Sequence, residues 1–409
     1  MSAAQFKPVQ EQFSYLAKGV AEIIREEELK AKIERSIATA TPLRVYLGVD
    51  PTAPDIHLGH TVVLRKLKHF QDMGHTAIFL IGDFSALIGD PTGQSETRPP
   101  LTREQVDANA KTYLQQVYKI LDRDRTEVRY NSEWLGKMTT YDTVRLCGHY
   151  RLARLLERED FRSRLANNQP ISVHELLYPL LTAYDAVALQ SDVEIGATEQ
   201  KFNLLVHRDI QREYAERSEV ALTMPILVGL DGTRKMSKSL GNYIGITETP
   251  SEMFGKIMSI SDELMWSYYE LLTDFTEPVV VRLREEVRTG VLHPKKAKVQ
   301  LAHTIVAGFH GGDAASKAAD EFDLVYSKRQ SPSEMKTFRV TSPGNMKLTA
   351  TITAVGMADS RAEAERLIKQ GAVEWDGARI TNPAQVVSPG NSTLRVGKKP
   401  AVRVVIESA

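Results

Sequence analysis

The sequence predicts an α/β fold: a doubly wound parallel sheet of the Rossmann-like type, then an all-helical domain and a small α+β domain. Between residues 43 and about 228, short apolar strands alternate with helices, which is typical of a parallel sheet covered on both faces. From 252 to 322 the pattern is helical throughout. A polar stretch containing two prolines follows. We therefore expect four segments: a sheet domain at 1–245, a helical domain at 246–326, a linker at 327–345 and a small domain at 346–409.

The sheet domain is expected to open with a helix and to contain five strands. Apolar residues including Ile23, Ile24, Leu29 and Ile33 recur among charged ones from about 12 to 40, which predicts one amphipathic helix. The segment near 131–191 is mostly helical, so we expect an insertion between the two halves of the sheet. The expected strands are 45–49, 77–81, 128–130, 193–195 and 226–228.

A strand–turn–helix segment near the start is a candidate phosphate site. After strand 45–49 and a turn containing proline comes His57-Leu58-Gly59-His60, which opens an amphipathic helix closed by Gly74. This arrangement directs backbone N–H groups and the positive end of a helix dipole at an anion. His57 and His60 are three residues apart, so both can project from one side of the helix start. Alone, such histidines are more often surface or capping residues.

A second motif, Lys235-Met236-Ser237-Lys238-Ser239, changes that interpretation. A lysine pair flanked by serine usually marks a solvated loop. Together, however, the two motifs predict a single ATP site. Displacement of pyrophosphate from the α-phosphate develops charge that several donors must stabilise, and it needs no covalent enzyme intermediate. His57, His60, Lys235 and Lys238 are therefore the candidate catalytic residues.

A helix at 175–189 is expected to carry a second set of polar groups. It is apolar nearly all round, which indicates burial. Tyr178, Thr182 and Asp185 are spaced i, i+4 and i+7, so they share one face. A buried carboxylate is costly without a partner. Asp185 either satisfies a nearby backbone group or arginine, or it binds a substrate.

Asp90 and Arg98 are further candidates near the carboxyl ends of the predicted strands. Asp90 lies in a Gly-Asp-Pro turn after a strand, where its carboxylate can face a cleft. An ordinary turn residue is the plainer interpretation, since Asp and Pro both favour turns. Arg98 lies on a polar segment beyond Asp90, where it either approaches pyrophosphate or is a solvated loop charge.

Composition excludes several classes of protein. The chain has 409 residues, with 52 basic and 52 acidic side chains, so it lacks the basic excess of a dedicated nucleic-acid binder. A single cysteine, Cys147, rules out a disulfide framework and a cysteine-rich zinc site, and it fits a reducing compartment. The first thirty residues lack the apolar core of a signal peptide, and no segment has the length of a membrane span. We expect a cytoplasmic protein with no membrane contact.

The last predicted domain combines a capped helix with a hairpin. Ser360 and Glu363 form a capping box, and Gly371 ends the helix. Strand 373–375 turns at Asp376-Gly377 into a second strand. The pattern resembles the small RNA-binding domain first seen in a ribosomal small-subunit protein, although a generic domain with a polar surface remains an alternative. The basic residues expected to contact RNA are Arg361, Arg366, Lys369 and Arg379.

The two ATP motifs together resemble the signature pair of class I aminoacyl-tRNA synthetases. The surrounding segments are more specific: 46–52, 88–93 and 178–185 are similar to bacterial-type tyrosyl-tRNA synthetases, and the similarity runs over nearly the whole chain. The resemblance implies a tyrosine–tRNA ligase that forms tyrosyl-adenylate from tyrosine and ATP and transfers the tyrosyl group to tRNA(Tyr). It also implies a homodimer, ATP with Mg²⁺ as the substrate complex, and no tightly bound metal.

The resemblance also assigns residues to two subsites. Tyr46 and Asp185 would contact the substrate hydroxyl, and Asp90 and Tyr178 its ammonium group. Thr182 stands where the family often has glutamine, and Ala197 and Glu199 also depart from the usual pattern. The residues implied for tyrosine are Tyr46, Asp90, Tyr178, Thr182, Asp185 and Gln200. Those implied for ATP are Gly48, Thr52, His57, Gly59, His60, Glu199, Lys235, Ser237 and Lys238.

Three other functions remain open at this point. A tryptophanyl-tRNA synthetase shares the fold, but the pairing of Tyr46 with Asp185 and the RNA-binding tail argue against it. A nucleotidyltransferase also uses an H-x-G-H motif, yet it would leave the helical domain and the tail unexplained. A non-enzymatic RNA-binding relative is disfavoured because both ATP motifs are intact.

Overall fold

The computed structural model describes residues 6–52, 55–90, 102–215, 217–324, 335–397, 399 and 401–408. It divides into two compact units, Met1–Gly312 and Asp313–Ala409. The first unit is built on a six-stranded sheet and the second on a smaller five-stranded one. The predicted α/β class is confirmed.

The large sheet has the strand order β1-β6-β5-β2-β3-β4. Strand β2 pairs in parallel with β3 on one side and with β5 on the other, so the chain reverses its winding direction between β2 and β5. In such sheets ligands bind at the carboxyl ends of the strands beside this reversal. The strands are β1 Glu22–Ile24, β2 Arg44–Val49, β3 Thr76–Ile81, β4 Thr126–Tyr130, β5 Val193–Ala197 and β6 Val220–Met224.

Helices pack on this sheet and fill the insertion. The central strands are buried and rich in apolar residues, as expected for parallel strands covered on both faces. The helices of this part are α1 Val9–Ala17, α2 Glu26–Thr39, α3 Leu58–Asp72, α4 Arg103–Val117 and α10 Lys201–Ala215. The predicted insertion is helical and contains α5 Ser132–Leu135, α6 Thr140–Gly148, α7 Leu152–Leu155, α8 Glu159–Ala166 and α9 Val173–Leu189.

Two predicted elements of the first unit are wrong. The helix expected at 12–40 is broken by β1, because Gly19 and Arg25 adopt positive φ and Glu22–Ile24 pair antiparallel with β6. The strand expected at 226–228 is replaced by Val220–Met224, which is fully buried beside β5. At β1, hydrogen bonding to the sheet outweighs the local helical pattern, and at β6 the strand is the earlier of two neighbouring apolar runs.

Four helices complete the first unit, and their presence after the second motif is as predicted. They are α11 Pro250–Ser259, α12 Leu264–Leu272, α13 Glu277–Arg288 and α14 Pro294–His310. Gly290 and Gly311 lie just beyond the ends of α13 and α14, and each has a positive φ, which glycine adopts readily. Among the residues that the structure describes, no helix has both the length and the apolar character needed to cross a membrane.

The second unit has its own sheet and core. Helix α15 Gly312–Phe322 begins at its boundary, and the sheet order is β10-β9-β12-β13-β7. The linker predicted at 327–345 is wrong over Thr337–Ser342, which form β7 and pair in parallel with β13; residues 325–334 lie outside the described chain. The remaining elements are β8 Met346–Lys347, α16 Leu348–Ala354, α17 Arg361–Lys369, β9 Val373–Trp375, β10 Ala378–Ile380, β11 Val386–Val387, β12 Gly390–Val396 and β13 Val402–Ser408.

Candidate active site

The two histidines of the first motif cap the helix that they open. His57 is the N-cap of α3, and its Nδ1 accepts the backbone N–H of Gly59 at 3.1 Å. In return, Nδ1 of His60 accepts the backbone N–H of His57 at 3.2 Å. The ring centroids are 3.9 Å apart. Capping, the plainer interpretation of these residues, is therefore part of what they do.

Both imidazoles are held in the neutral form with one tautomer. Burial, His60 and Lys238 lower the pKa of His57 to about 3, and burial together with Lys238 lowers the pKa of His60 to about 4. Because each Nδ1 accepts a backbone hydrogen bond, the proton of each neutral ring is assigned to Nε2. Each histidine can therefore donate a hydrogen bond to an anion while it caps the helix.

The lysine-bearing loop packs directly on this helix start. A Cβ atom placed on Gly59 would lie 2.9 Å from the His57 ring and 3.6 Å from Cβ of Met236, so only glycine fits this contact easily. The backbone N–H of Leu58 donates to the carbonyl of Ile244 at 2.9 Å. The two motifs, 175 or more residues apart in the chain, thus form one surface at the carboxyl edge of the sheet.

Both lysines of the loop are paired with carboxylates. Nζ of Lys235 lies 3.1 and 3.2 Å from the two carboxyl oxygens of Glu199, and Nζ of Lys238 lies 3.1 Å from Oδ2 of Asp55. These pairs are solvent-exposed, so they hold the side chains only weakly. The lysines are consequently available to a stronger anion.

Asn242, which the sequence did not single out, shapes the loop. Its Oδ1 accepts the backbone N–H of Ser237 at 2.8 Å, and its Nδ2 donates to the carbonyl of Lys235 at 3.0 Å and to Asp231 at 2.8 Å. Gly229 leaves room for it, since a Cβ there would lie 2.3 Å from Nδ2. The sequence signal that could have indicated this role is an asparagine directly after Gly241.

Tyr46 and Asp185 are both buried where the sheet packs against α9. Tyr46 is on β2, and its ring packs in a cluster with Ala186 and Leu189 of α9. Burial raises the pKa of Asp185 well above its usual value, although hydrogen bonds from Trp134 and Asn131 act in the opposite direction. Oδ1 of Asp185 accepts Nε1–H of Trp134 at 2.7 Å, and Oδ2 accepts from Asn131 at 3.3 Å. Among the residues that the structure describes, Asp185 is therefore bonded to two side chains and to neither an arginine nor a backbone group.

Tyr178 and Asp50 form a second polar group. Tyr178 lies on α9, seven residues before Asp185. The hydroxyl of Tyr178 donates to Oδ2 of Asp50 at 2.9 Å, and Ser85 donates to Oδ1 at 2.7 Å. Burial raises the pKa of Asp50 to about 7, with Asp90 contributing in the same direction. Asp50 was not predicted as a site residue, although a carboxylate directly after a parallel strand was a visible signal.

The other predicted site residues are distributed around these groups. Thr182 lies on α9, and its Oγ1 is 2.9 Å from the carbonyl of Tyr178 and 3.0 Å from Nε2 of His207. Oε1 of Gln200 accepts the backbone N–H of Ala197 at 2.9 Å, so its carbonyl end is occupied by the turn after β5. Gly48 is at the end of β2 and Thr52 is exposed just beyond it, whereas Arg98 lies outside the described residues.

The basic residues predicted for RNA are exposed in the second unit. Arg361, Arg366 and Lys369 lie on α17. Arg379 is on β10, where its Nε donates to the carbonyl of Gly371 at 2.7 Å. A Cβ on Gly371, which has φ +65°, would lie 2.5 Å from this guanidinium, so the glycine permits the close approach. The four cations thus cluster around one helix and its end.

Sequence comparisons agree with this geometry. Residues 38–327 match the family model of class I tRNA synthetases (W and Y), and residues 346–392 match the S4 domain. A tyrosine–tRNA ligase of Oleidesulfovibrio alaskensis is 52% identical over 97% of this chain and 99% of its own length. One of Haemophilus influenzae is 49% identical over 95% of both chains.

Solved structures show the same fold. A tyrosyl-tRNA synthetase of Archaeoglobus fulgidus complexed with L-tyrosine superposes with a TM-score of 0.61 at 25% identity, over 76% of this chain and all of that one. A truncated mitochondrial tyrosyl-tRNA synthetase of Aspergillus nidulans gives 0.65 at 20% identity, over 79% and 98%. The chain belongs to the class I tRNA synthetases of the W and Y family, and within them to the tyrosine–tRNA ligases.

Proposed function

We propose that the first unit forms tyrosyl-adenylate from tyrosine and ATP and that the tyrosyl group then passes to the 3′ end of tRNA(Tyr). The observation that carries this proposal is the contact between the two motifs, Gly59 against Met236, beside the strand that bears Tyr46. Donors for phosphate and a buried polar pocket then share one edge of the sheet. That is the arrangement needed to bring a carboxylate and an α-phosphate together.

At the phosphate end, four donors would stabilise the developing charge. His57 and His60 supply Nε2–H groups, and Lys235 and Lys238 supply ammonium groups. Gly59 and Ser237 would offer backbone or hydroxyl contacts, and Gly48, Thr52 and Glu199 would border the nucleotide. Preorganised donors of this kind act mainly on the transition state. Mg²⁺ would accompany ATP on its phosphates, and we assign it no protein ligand.

At the tyrosine end, the buried groups suit a phenol and an ammonium group. Tyr46 and Asp185 would bind the hydroxyl, and Asp90 and Tyr178 the ammonium. The bond from Tyr178 to Asp50 supports this assignment, because it adds a second carboxylate beside Asp90. Thr182 and Gln200 are already bonded within the protein, so we assign them a supporting part in shaping the pocket.

Exposed apolar side chains on the insertion support the proposed homodimer. Large hydrophobic side chains are exposed there, with Tyr141 reaching 77%. Several large exposed hydrophobic side chains in one segment are more than single surface residues and suit a surface that a partner covers. The exposed residues are Tyr141, Val144, Leu152, Leu165 and Val173. Light scattering should give the dimer mass for the wild type and the monomer mass for a Tyr141→Asp, Val144→Asp variant; a monomeric wild type would contradict the proposal.

We place the enzyme in the cytoplasm, where it would meet tRNA during protein synthesis, and we assign tRNA contacts to the S4 domain. Replacing Arg361, Arg366 and Lys369 by alanine should weaken tRNA affinity and flatten its salt dependence, since each lost phosphate contact reduces the salt slope. The matched control replaces Lys336, Arg339 and Arg403, three exposed cations of the same unit. Equal effects of the two variants would contradict the assignment.

Pyrophosphate exchange with each of the twenty amino acids tests the activity itself. We expect exchange with tyrosine, far weaker exchange with phenylalanine, and none with tryptophan above background. A preference for tryptophan would favour the other branch of the family. Exchange that proceeds without any amino acid would instead indicate a nucleotidyltransferase.

A further inference from the structure

A buried polar chain connects α9 to the sheet behind the proposed tyrosine pocket. Nδ1 of His207, on α10, lies 2.9 Å from both carboxyl oxygens of Glu194 on β5. On the other side, its Nε2 lies 3.0 Å from Oγ1 of Thr182 on α9. All three side chains are at least 90% buried. Because hydrogen bonds in such surroundings are strong and leave few alternative geometries, the chain holds its three elements at fixed separations.

The two ends of this chain meet the two residues proposed for the phenol. Glu194 is the register partner of Tyr46 across β2 and β5. Burial and the nearby carboxyl group of Glu194 raise the pKa of Tyr46 well above its usual value, as expected for close neighbours. Thr182 precedes Asp185 by three residues, so both lie on one side of α9. Tyr46 lies on β2 and Asp185 on α9. His207 is bonded to α9 through Thr182 and to β5, the strand that pairs with β2, through Glu194.

We propose that His207 is a positioning residue for tyrosine selectivity: by joining Glu194 to Thr182 it sets the separation between Tyr46 and Asp185. This inference rests on the proposed phenol site. The site distinguishes tyrosine, whose hydroxyl bridges two partners, from phenylalanine, which lacks the hydroxyl, only while both partners stay in place. Loss of the link would let α9 shift from the sheet and would loosen both contacts at once.

The hydrogen-bond pattern indicates how the link is held. The hydroxyl of Thr182 has one hydrogen and two neighbours, the carbonyl of Tyr178 and Nε2 of His207. If Thr182 donates to the carbonyl of Tyr178, then Nε2–H of His207 donates to Thr182. Nδ1 of His207 then shares a proton with Glu194. Every polar atom of the link then has a partner. The imidazole is therefore suited to the position because it bonds in two opposite directions.

Three substitutions at one position separate the two bonds. Asparagine places its amide nitrogen near the place of Nδ1 and can keep the contact with Glu194. Glutamine places its amide near Nε2 and can keep the contact with Thr182. Leucine fills a similar volume and makes neither contact. The kinetic readout is kcat and KM for tyrosine, phenylalanine and ATP in pyrophosphate exchange, with the melting temperature measured on the same samples.

We expect His207→Leu to lower the ratio of kcat/KM for tyrosine over phenylalanine about tenfold, the effect of one or two hydrogen bonds. KM for ATP should not change, and His207→Asn and His207→Gln should each recover part of the ratio. Thr182→Val, which removes only a hydroxyl, should act in the same direction if the leucine variant does not fold. Unchanged selectivity in the leucine and valine variants would overturn the inference.

Gln211 provides the matched control. Its Nε2 donates to the carbonyls of Ala186 and Ser191, so it also ties α10 to the end of α9, but it does not reach β5 through Glu194. Gln211→Leu should lower the melting temperature and leave selectivity intact. An equal loss of selectivity in this variant would reduce His207 to a purely structural role and overturn the inference.

The same side chains offer a different explanation that the test must distinguish. Ligand atoms of Glu194, His207 and Glu219 lie within 4.8 Å of one another. One stoichiometric divalent metal in the purified protein, lost in His207→Leu, would make these residues metal ligands and overturn the positioning role. If the wild type itself does not prefer tyrosine to phenylalanine, the proposed function and this inference both fail; if only the variants are without effect, the inference alone fails.

Discussion

The two ends of the candidate site are built in opposite ways. At the tyrosine end, Tyr46 is 1% and Asp185 4% exposed, and the polar atoms of Asp185 are held by Trp134 and Asn131. At the phosphate end, the side chain of Lys235 is 54% exposed and pairs with the exposed carboxylate of Glu199. The first region is fixed by buried hydrogen bonds, whereas the second is held by weak, solvated ion pairs.

This difference separates selectivity from chemistry. A buried pocket with fixed partners rejects a substrate that leaves a polar group unpaired. Exposed lysines can instead exchange one anion for another as ATP enters and charge develops on its phosphates. Substitutions at the tyrosine end should therefore change which amino acid is used, and those at the phosphate end should change how fast it is activated.

The largest effect is expected at the phosphate end. Lys238→Ala should slow adenylate formation about 10²- to 10³-fold, the usual cost of removing one preorganised donor to a transition state. Tyrosine binding should change little, because the contact strengthens only as charge develops. Single-turnover kinetics measure the rate and the affinity separately. Lys201→Ala, which removes another exposed, paired lysine of the same unit, is the control; a normal rate for Lys238→Ala would exclude this role.

Asp185→Asn should have the next largest effect and act on selectivity. Loss of a buried hydrogen-bond partner costs roughly 1–3 kcal/mol, so the tyrosine-over-phenylalanine ratio should fall about 5- to 150-fold. Tyr46→Phe removes a neutral bond and should cost less. Steady-state kinetics with both amino acids provide the ratios. Selectivity that survives both substitutions would remove these residues from the phenol site.

The same contrast explains what the sequence could predict. The strand at 45–49 and the helix that His57 opens were predicted because they depend on neighbouring residues, and both are confirmed as β2 and α3. The motif pair was predictable because its chemistry requires those residue types. β1 was missed because Glu22–Ile24 become a strand only through pairing with β6, 200 residues away.

The partners of the buried site residues were not predictable for a similar reason. Trp134, Asn131 and His207 reach the site from the insertion and from α10, so no local spacing indicates them. Asp50 is the exception, since it directly follows a parallel strand. Buried polar networks depend on tertiary contacts between distant segments, and a single sequence does not display these contacts.

The pH dependence of tyrosine binding should distinguish the two ends further. Burial raises the pKa of Asp50 to about 7, so this carboxyl is neutral below pH 7 and ionised above it. An ionised Asp50 beside Tyr178 attracts the substrate ammonium group, so KM for tyrosine should fall as pH rises from 6 to 8. The titration of one such group can lower KM for tyrosine by about tenfold at most between pH 6 and 8. Over this range both motif histidines remain neutral, because their pKa values are about 3 and about 4.

Asp50→Asn is the variant that checks this assignment. It should remove the change in KM for tyrosine between pH 6 and 8 while the wild type retains it. Glu199→Gln, at the other end of the site, should leave that change intact. A pH dependence that persists in Asp50→Asn would assign it to another buried carboxyl, such as Glu194, whose pKa burial also raises to about 7.

The smallest effect is expected from the ion pair that holds Lys238 before ATP binds. Asp55 is 3.1 Å from its Nζ and largely exposed, and such a pair contributes about 0–1 kcal/mol. ATP must displace Asp55 to engage this lysine, so Asp55→Asn should lower KM for ATP by at most about fivefold and leave KM for tyrosine unchanged. Because salt screens exposed charges, the gain should shrink at high ionic strength. A higher KM for ATP in Asp55→Asn would contradict this prediction. It would mean that Asp55 orients Lys238 for ATP binding and does not compete with ATP for the lysine.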